Sequence, residues 1–518
     1  MTFRAPKDGY KFPKAFMSPP VMAIGDSIYN GMRSATINAE MARKSVPASV
    51  SRVVDPNYRF RSPRYPEVLL IDVEQTLREI DLGDLVHRLK KRIEGVVANA
   101  QRWGSGQHVV QAEHAAWDNL SQAGAVVDDL ITRDWGHWAG LVAHNLPKLN
   151  GVDSVDDLLG SGADILDLHM GLNAKFLINP NERDELKEMR PIDLVAARKP
   201  KRLLINIGAN HGVIDITLRG VEAKDPKLPG EGLRGLADWA EQMKDMAGML
   251  KALGPETETI YVNTVPLPST VPNMMYPYNP REIHAHEIEK IDGYYPVYDN
   301  RLGGLNDYIQ HTAAEMKELD REVAAINNKM IANMRAVGDD RLRFFRLDRA
   351  LKKYDGKHES AKGISGDTPG ARLEFPDRTY SNKAIDFDNF FIWDAFREGG
   401  VASLDNHHPS GVGYSVMARE LVRVMKKDIP DLKLNRAMIS EMGDKIFSDE
   451  PGEYASIIRV LYRLRRHATD YKWEPDLDEA NGKDLPHTPV ALKPDDADEA
   501  AKALGQLMGR VLRSPPER

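Results

Sequence analysis

Short apolar runs alternating with long amphipathic patterns constrain this chain more than any other feature. Val21 to Ile24 is one such run, and Leu203-Leu204-Ile205-Asn206-Ile207 is a second that stops at Gly208. Leu236, Trp239, Met243, Met246, Leu250 and Leu253 then recur at spacings of three and four, which predicts an amphipathic helix ended by Gly254-Pro255. Ile260 to Thr264 returns as a strand. A second helical stripe runs through Leu319, Val323, Ile326, Met330, Met334 and Val337. Leu342 to Leu347 reads as a further strand, and Val416, Met417, Leu421, Val424 and Met425 mark a last helix. Apolar strands separated by helices predict a parallel sheet covered on both faces. In such sheets the chemistry collects where strand C-terminal ends meet their loops.

At 518 residues the chain has room for two or more domains, or for one core domain with large insertions. Three stretches read as insertions: about 50–115, charged and largely helical; 266–305, rich in Pro, Tyr and Met; and 352–400, polar at first and then acidic and aromatic. The expected division is a main domain over 1–430 and a mostly helical extension and tail over 431–518. The net charge of -7 is spread along the chain, so no basic surface for nucleic acid is expected. The absence of cysteine excludes disulfides, thiolate catalysis and Cys-ligated metals. No apolar run approaches the roughly 20 residues that span a bilayer. The N-terminus lacks the apolar segment of a signal peptide, so a cytoplasmic protein is expected.

Four features at predicted strand ends carry chemistry. Gly25-Asp26-Ser27 closes the first strand, and a serine on a tight strand-to-helix turn is placed to act as a nucleophile beside the positive end of the following helix. Gly208-Ala209-Asn210 closes the Leu203 strand, where an asparagine amide can donate to a developing oxyanion. Gly and Asn also serve ordinary turns at such points. Asp405-Asn406-His407-His408-Pro409 precedes the last helix; a carboxylate and an imidazole three residues apart can orient and deprotonate a serine. His407 competes as the base, and the spacing together with Pro409 favours His408. The same loop also fits a helix cap built on Ser410. Gly124 is the fourth feature, a position where the backbone N–H can approach a ligand closely.

Taken in order, Ser27, Gly124, Asn210 and the pair Asp405 and His408 resemble the SGNH hydrolase superfamily of GDSL-type esterases and lipases. Its four blocks contribute a Ser in Gly-Asp-Ser, a Gly, an Asn in Gly-x-Asn and a His in Asp-x-x-His-Pro. Val262-Asn263-Thr264-Val265-Pro266 and His408-Pro409-Ser410-Gly411-Val412-Gly413-Tyr414 resemble further parts of the pattern, and the likeness spans about residues 18–428. Three departures stand out. His211 occupies a position where the family often has Asp, Ser27 and Gly124 are unusually far apart, and Ile28 replaces the usual Leu.

The resemblance implies a flavodoxin-like three-layer α/β/α sandwich and hydrolysis of a carboxylic ester. Ser27 would attack, His408 would act as base and Asp405 as orienter. The oxyanion would be held by the Ser27 N–H, the Gly124 N–H and the Asn210 side chain. It implies no metal and no organic cofactor. Met274, Met275, Tyr276 and Tyr278 lie after the fourth expected strand and are candidates to wall an acyl pocket, although the same composition suits an insertion packed on the core. His284, His286 and Glu287 are better read as surface loop than as metal ligands. The substrate expected is a small or lipid-like ester. A carbohydrate O-acyl ester, an acyl transfer, and a silent binding protein that keeps the fold are the alternatives.

Overall fold

Each apolar run with a strand signature forms a strand: Met22–Gly25 (β1), Arg202–Asn206 (β2), Thr259–Asn263 (β3) and Leu342–Phe345 (β4). They pair in the order β1-β2-β3-β4, all parallel. The computed structural model describes residues 2–34, 36–65, 69–70, 85–104, 116–149, 162–219, 231–275, 293–296, 311–353, 373–374, 379–380, 401–403, 405 and 407–432.

A further extended segment lies outside β1 and is not visible as an apolar run. The Leu120 N–H donates to the Ala23 carbonyl and the Gln122 N–H to the Gly25 carbonyl, each at 2.8 Å, and Asn119 faces Ala23 in parallel register. Residues 118–122 are largely polar because each side has a use. Asp118 makes a buried ion pair with Arg198, and the Asn119 amide donates to the Tyr29 carbonyl. This segment delivers Gly124 to the sheet edge that carries Ser27.

The helices that matter for the site are Ser27–Asn30 (α1), Val46–Val54 (α2), Leu85–Gly104 (α3), Val127–Ile131 (α4), Gly162–Ile178 (α5), Glu231–Lys251 (α6), Ala313–Arg335 (α7) and Gly411–Met425 (α8). Successive strand residues point to opposite faces, and the core divides accordingly. Leu203, Ile205, Ile260 and Val262 pack with Trp239 and Met243 of α6 and with Val323 and Met330 of α7. Leu204 and Tyr261 pack on the other face with Val46 and Val50 of α2 and Tyr414, Met417 and Leu421 of α8. Helices therefore cover both faces of a parallel sheet.

Two expectations change. The helix after Ser27 is a single turn, closed by Gly31 at φ 96, so it offers local N–H groups and no extended macrodipole. Met274, offered as an acyl-pocket wall, is fully buried against Met316 and Ala313 of α7 and belongs to a strand pairing with 293–296. The side chain of Met275 and all of Tyr276 and Tyr278 lie outside the described residues, as do His284, His286, Glu287 and everything after 432. Among the described residues no helix is long and apolar enough to cross a membrane.

Candidate active site

Gly25 brings β1 against β2 so closely that any side chain on it would overlap the Asn206 carbonyl oxygen. The chain then turns. Asp26 accepts the Ile28 N–H at 3.1 Å as the N-cap of α1, and Ser27 becomes its first residue, almost wholly buried.

His408, 381 residues downstream of Ser27, arrives with Asp405 on a loop closed by the Ser410 N–H bond to the Val401 carbonyl at 2.9 Å. The His408 Nε2 stands 3.0 Å from Ser27 Oγ, and His408 Nδ1 stands 2.8 Å from Asp405 Oδ2. A carboxylate only accepts, so Nδ1 carries the proton and Nε2 is left to receive one from the serine. Asp405 is fully buried, and its Oδ1 accepts three donors: the His408 N–H at 2.8 Å, the His407 N–H at 3.0 Å and Ser403 Oγ at 2.9 Å. Ser403 Oγ in turn accepts the Ser34 N–H at 2.8 Å, which ties the Asp405–His408 loop to the segment following α1. Ser410 caps α8 through the Gly413 N–H at 3.1 Å. One loop thus supplies both the helix cap and the Asp405–His408–Ser27 contacts.

His407 does not reach the serine. Its ring meets that of His408 edge-on at 5.5 Å between centroids. Burial, followed by the neighbouring His408, pushes its pKa down to about 4.

Gly124 and Asn210 meet at the same sheet edge. Gly124 adopts φ 70, and a Cβ there would lie 2.8 Å from the Met170 sulfur of α5 and closer still to its methyl. Asn210 Nδ2 donates to the Ala125 carbonyl at 2.9 Å, and His211 Nε2 accepts the Val127 N–H of α4 at 3.1 Å. The loop after β2 and the loop carrying Gly124 are therefore clipped together twice. His211, the departure noted above, serves as an acceptor for a helix-start N–H, a role a carboxylate also fills.

In the sequence Asn206 and Asn263 read only as strand residues. Both end a strand at the site edge, both are buried, and both bond toward Asp26. Two apolar runs that each contain an Asn at the same level was the available signal. Among the described residues no group of three or more His, Asp or Glu side chains comes together as a metal site. No protein-family model matches the chain, and no curated protein matches it.

Proposed function

We propose that this protein is a serine esterase that hydrolyses carboxylic esters through an acyl-enzyme on Ser27. One observation carries the reading: Ser27, His408 and Asp405 form a continuous buried chain, with contacts of 3.0 and 2.8 Å, although the serine and the Asp405–His408 loop lie at opposite ends of the sheet domain's sequence. His408 Nε2 takes the proton as Ser27 Oγ attacks the acyl carbon. Asp405 holds the imidazole in the required tautomer and balances the imidazolium. His408 then protonates the leaving alcohol, and a water activated by the same nitrogen releases the acid.

Developing charge on the acyl oxygen would meet the second Nδ2 hydrogen of Asn210, whose first is held by Ala125, together with the N–H groups of Ser27 and Gly124. The fold that goes with this reading is a flavodoxin-like α/β/α sandwich. Its support is the position of segment 118–122 outside β1, which gives the order second-first-third-fourth-fifth along the sheet.

Ser27→Ala is expected to abolish turnover of a nitrophenyl acetate while leaving the circular dichroism spectrum unchanged. Retained turnover in the purified variant overturns the assignment.

A further inference from the structure

The turn that carries Ser27 is held by a ring of side chains to which no triad member belongs. Asn206 Nδ2 donates to Asp26 Oδ1 at 2.6 Å, Asn263 Nδ2 to Asn206 Oδ1 at 2.7 Å, and the Tyr29 hydroxyl to Asn263 Oδ1 at 3.1 Å. Asp26 and Tyr29 flank Ser27 on one turn, so the bonds return to where they began. All four side chains are buried.

With Asp26 ionised, the direction of every bond is dictated. Asp26 as a carboxylate can only accept, so Asn206 must offer it the amide NH₂ and turn its oxygen to Asn263. Asn263 must then offer its own NH₂ and turn its oxygen to the Tyr29 hydroxyl. Each donor points toward the charge, and bonds aligned in this way reinforce one another.

The ring is costly for a helix cap. Burial pushes the Asp26 carboxyl up to about 7, against the pull of the Asn206 and Ile28 donors. A neutral Ser or Asn would cap the same turn without an ion to bury. The titratable groups around Asp26 are Tyr29 on its own turn, His408 on the acid–base loop and Tyr414 on α8, which also feels Asp405 and Arg33.

We propose that this ring is a positioning device for the nucleophile: charged Asp26, oriented by Asn206, Asn263 and Tyr29, fixes the Ser27 turn against β2 and β3 and adds a second negative charge facing the imidazolium of His408. Asp26 is a positioning residue here, acting through Ser27 and His408. The inference rests on the reading of Ser27 as the nucleophile.

The test follows the rate of Ser27 labelling by a fluorophosphonate against pH in the full chain, with Ser27→Ala as the blank. Tyr29→Phe, which removes only the far donor, is expected to slow labelling about tenfold. Asp26→Asn is expected to slow it by about a hundredfold. It should also make the acid limb less steep, because one of two ionisations has been removed. Both variants labelling at the wild-type rate and steepness overturns the ring while leaving the esterase reading intact. Slower labelling with unchanged steepness reduces Asp26 to a structural cap and overturns its electrostatic role. Should Asp26→Asn fail to fold, Tyr29→Phe decides alone. An unlabelled wild-type protein removes the nucleophile reading, and this inference with it.

Discussion

The Asn210 amide donates to the Ala125 carbonyl at 2.9 Å, which leaves its second N–H fixed in direction by a bond between two loops. A donor held before the reaction begins needs no reorganisation as charge develops, and one such donor contributes roughly 10²–10³ in rate. Asn210→Ala is therefore expected to lower kcat by about that factor with a much smaller change in KM. Asn210→Asp, which keeps the shape but cannot donate, should fall at least as far. Steady-state kinetics on an activated ester checks both. A change confined to KM would mean that Asn210 binds the ground state and has no part in the oxyanion.

Much of this arrangement was legible in the sequence, and what was hidden has physical reasons. Periodicity located β1 to β4 and the helices α6, α7 and α8, because burial on both faces forces continuous apolar runs and helix burial forces three-and-four spacing. Segment 118–122 escaped because its polar side chains are paid for by distant partners such as Arg198, and pairing across the chain leaves no local periodicity. The choice between His407 and His408 rests on spacing and the adjoining Pro409 in the sequence; in the structure His408 Nε2 stands 3.0 Å from Ser27 Oγ, while the His407 ring meets that of His408 edge-on. Ser403, Asn206 and Asn263 carried no motif, since a side chain that orients another residue is defined by its contacts.

Gly124 is held to glycine by its backbone conformation first and by a flexible neighbour second. Its φ of 70 disfavours any L side chain, and a Cβ would collide with the Met170 thioether. Gly124→Ala is expected to cost about 1–3 kcal/mol, since strain of this kind has that scale. Adding Met170→Ala should return the part due to the collision, leaving the part due to φ. Urea unfolding of the two single variants and the double variant separates the contributions. Strict additivity of the two single changes would contradict the collision.

His407 stores a sensitivity to acid. Its folded pKa is lowered from 6.5 to about 4, with burial as the main cause. The folded state therefore binds fewer protons than the unfolded state between these values. The stability contributed by neutral His407 is complete above the unfolded value and is lost as pH falls toward the folded one. His407→Gln is expected to flatten the loss of stability between about pH 6.5 and about pH 4. Melting temperatures across that window measure it, and parallel curves for the two proteins would contradict the assignment.

Asp26 has the opposite sign. Its folded pKa is raised from 3.8 to about 7, mainly by burial, so between these values the folded state binds more protons than the unfolded one. Stability is then greatest below the unfolded value and declines as pH rises through the folded one, where the buried carboxylate must ionise. Asp26→Asn carries no charge and escapes this decline. Relative to wild type, the variant is expected to gain stability between about pH 4 and about pH 8, by an amount on the order of a few kcal/mol. On the proposed mechanism the same variant should be the poorer catalyst, because the charge that destabilises the fold also acts on His408. Urea midpoints at both ends of the window, with labelling rates on the same samples, test the two halves together. A difference that keeps growing above about pH 8 would show that Asp26 is not ionised within the folded protein, and with it the electrostatic support for His408 would be lost; a difference independent of pH would show that Asp26 titrates in the fold as it does in the unfolded chain.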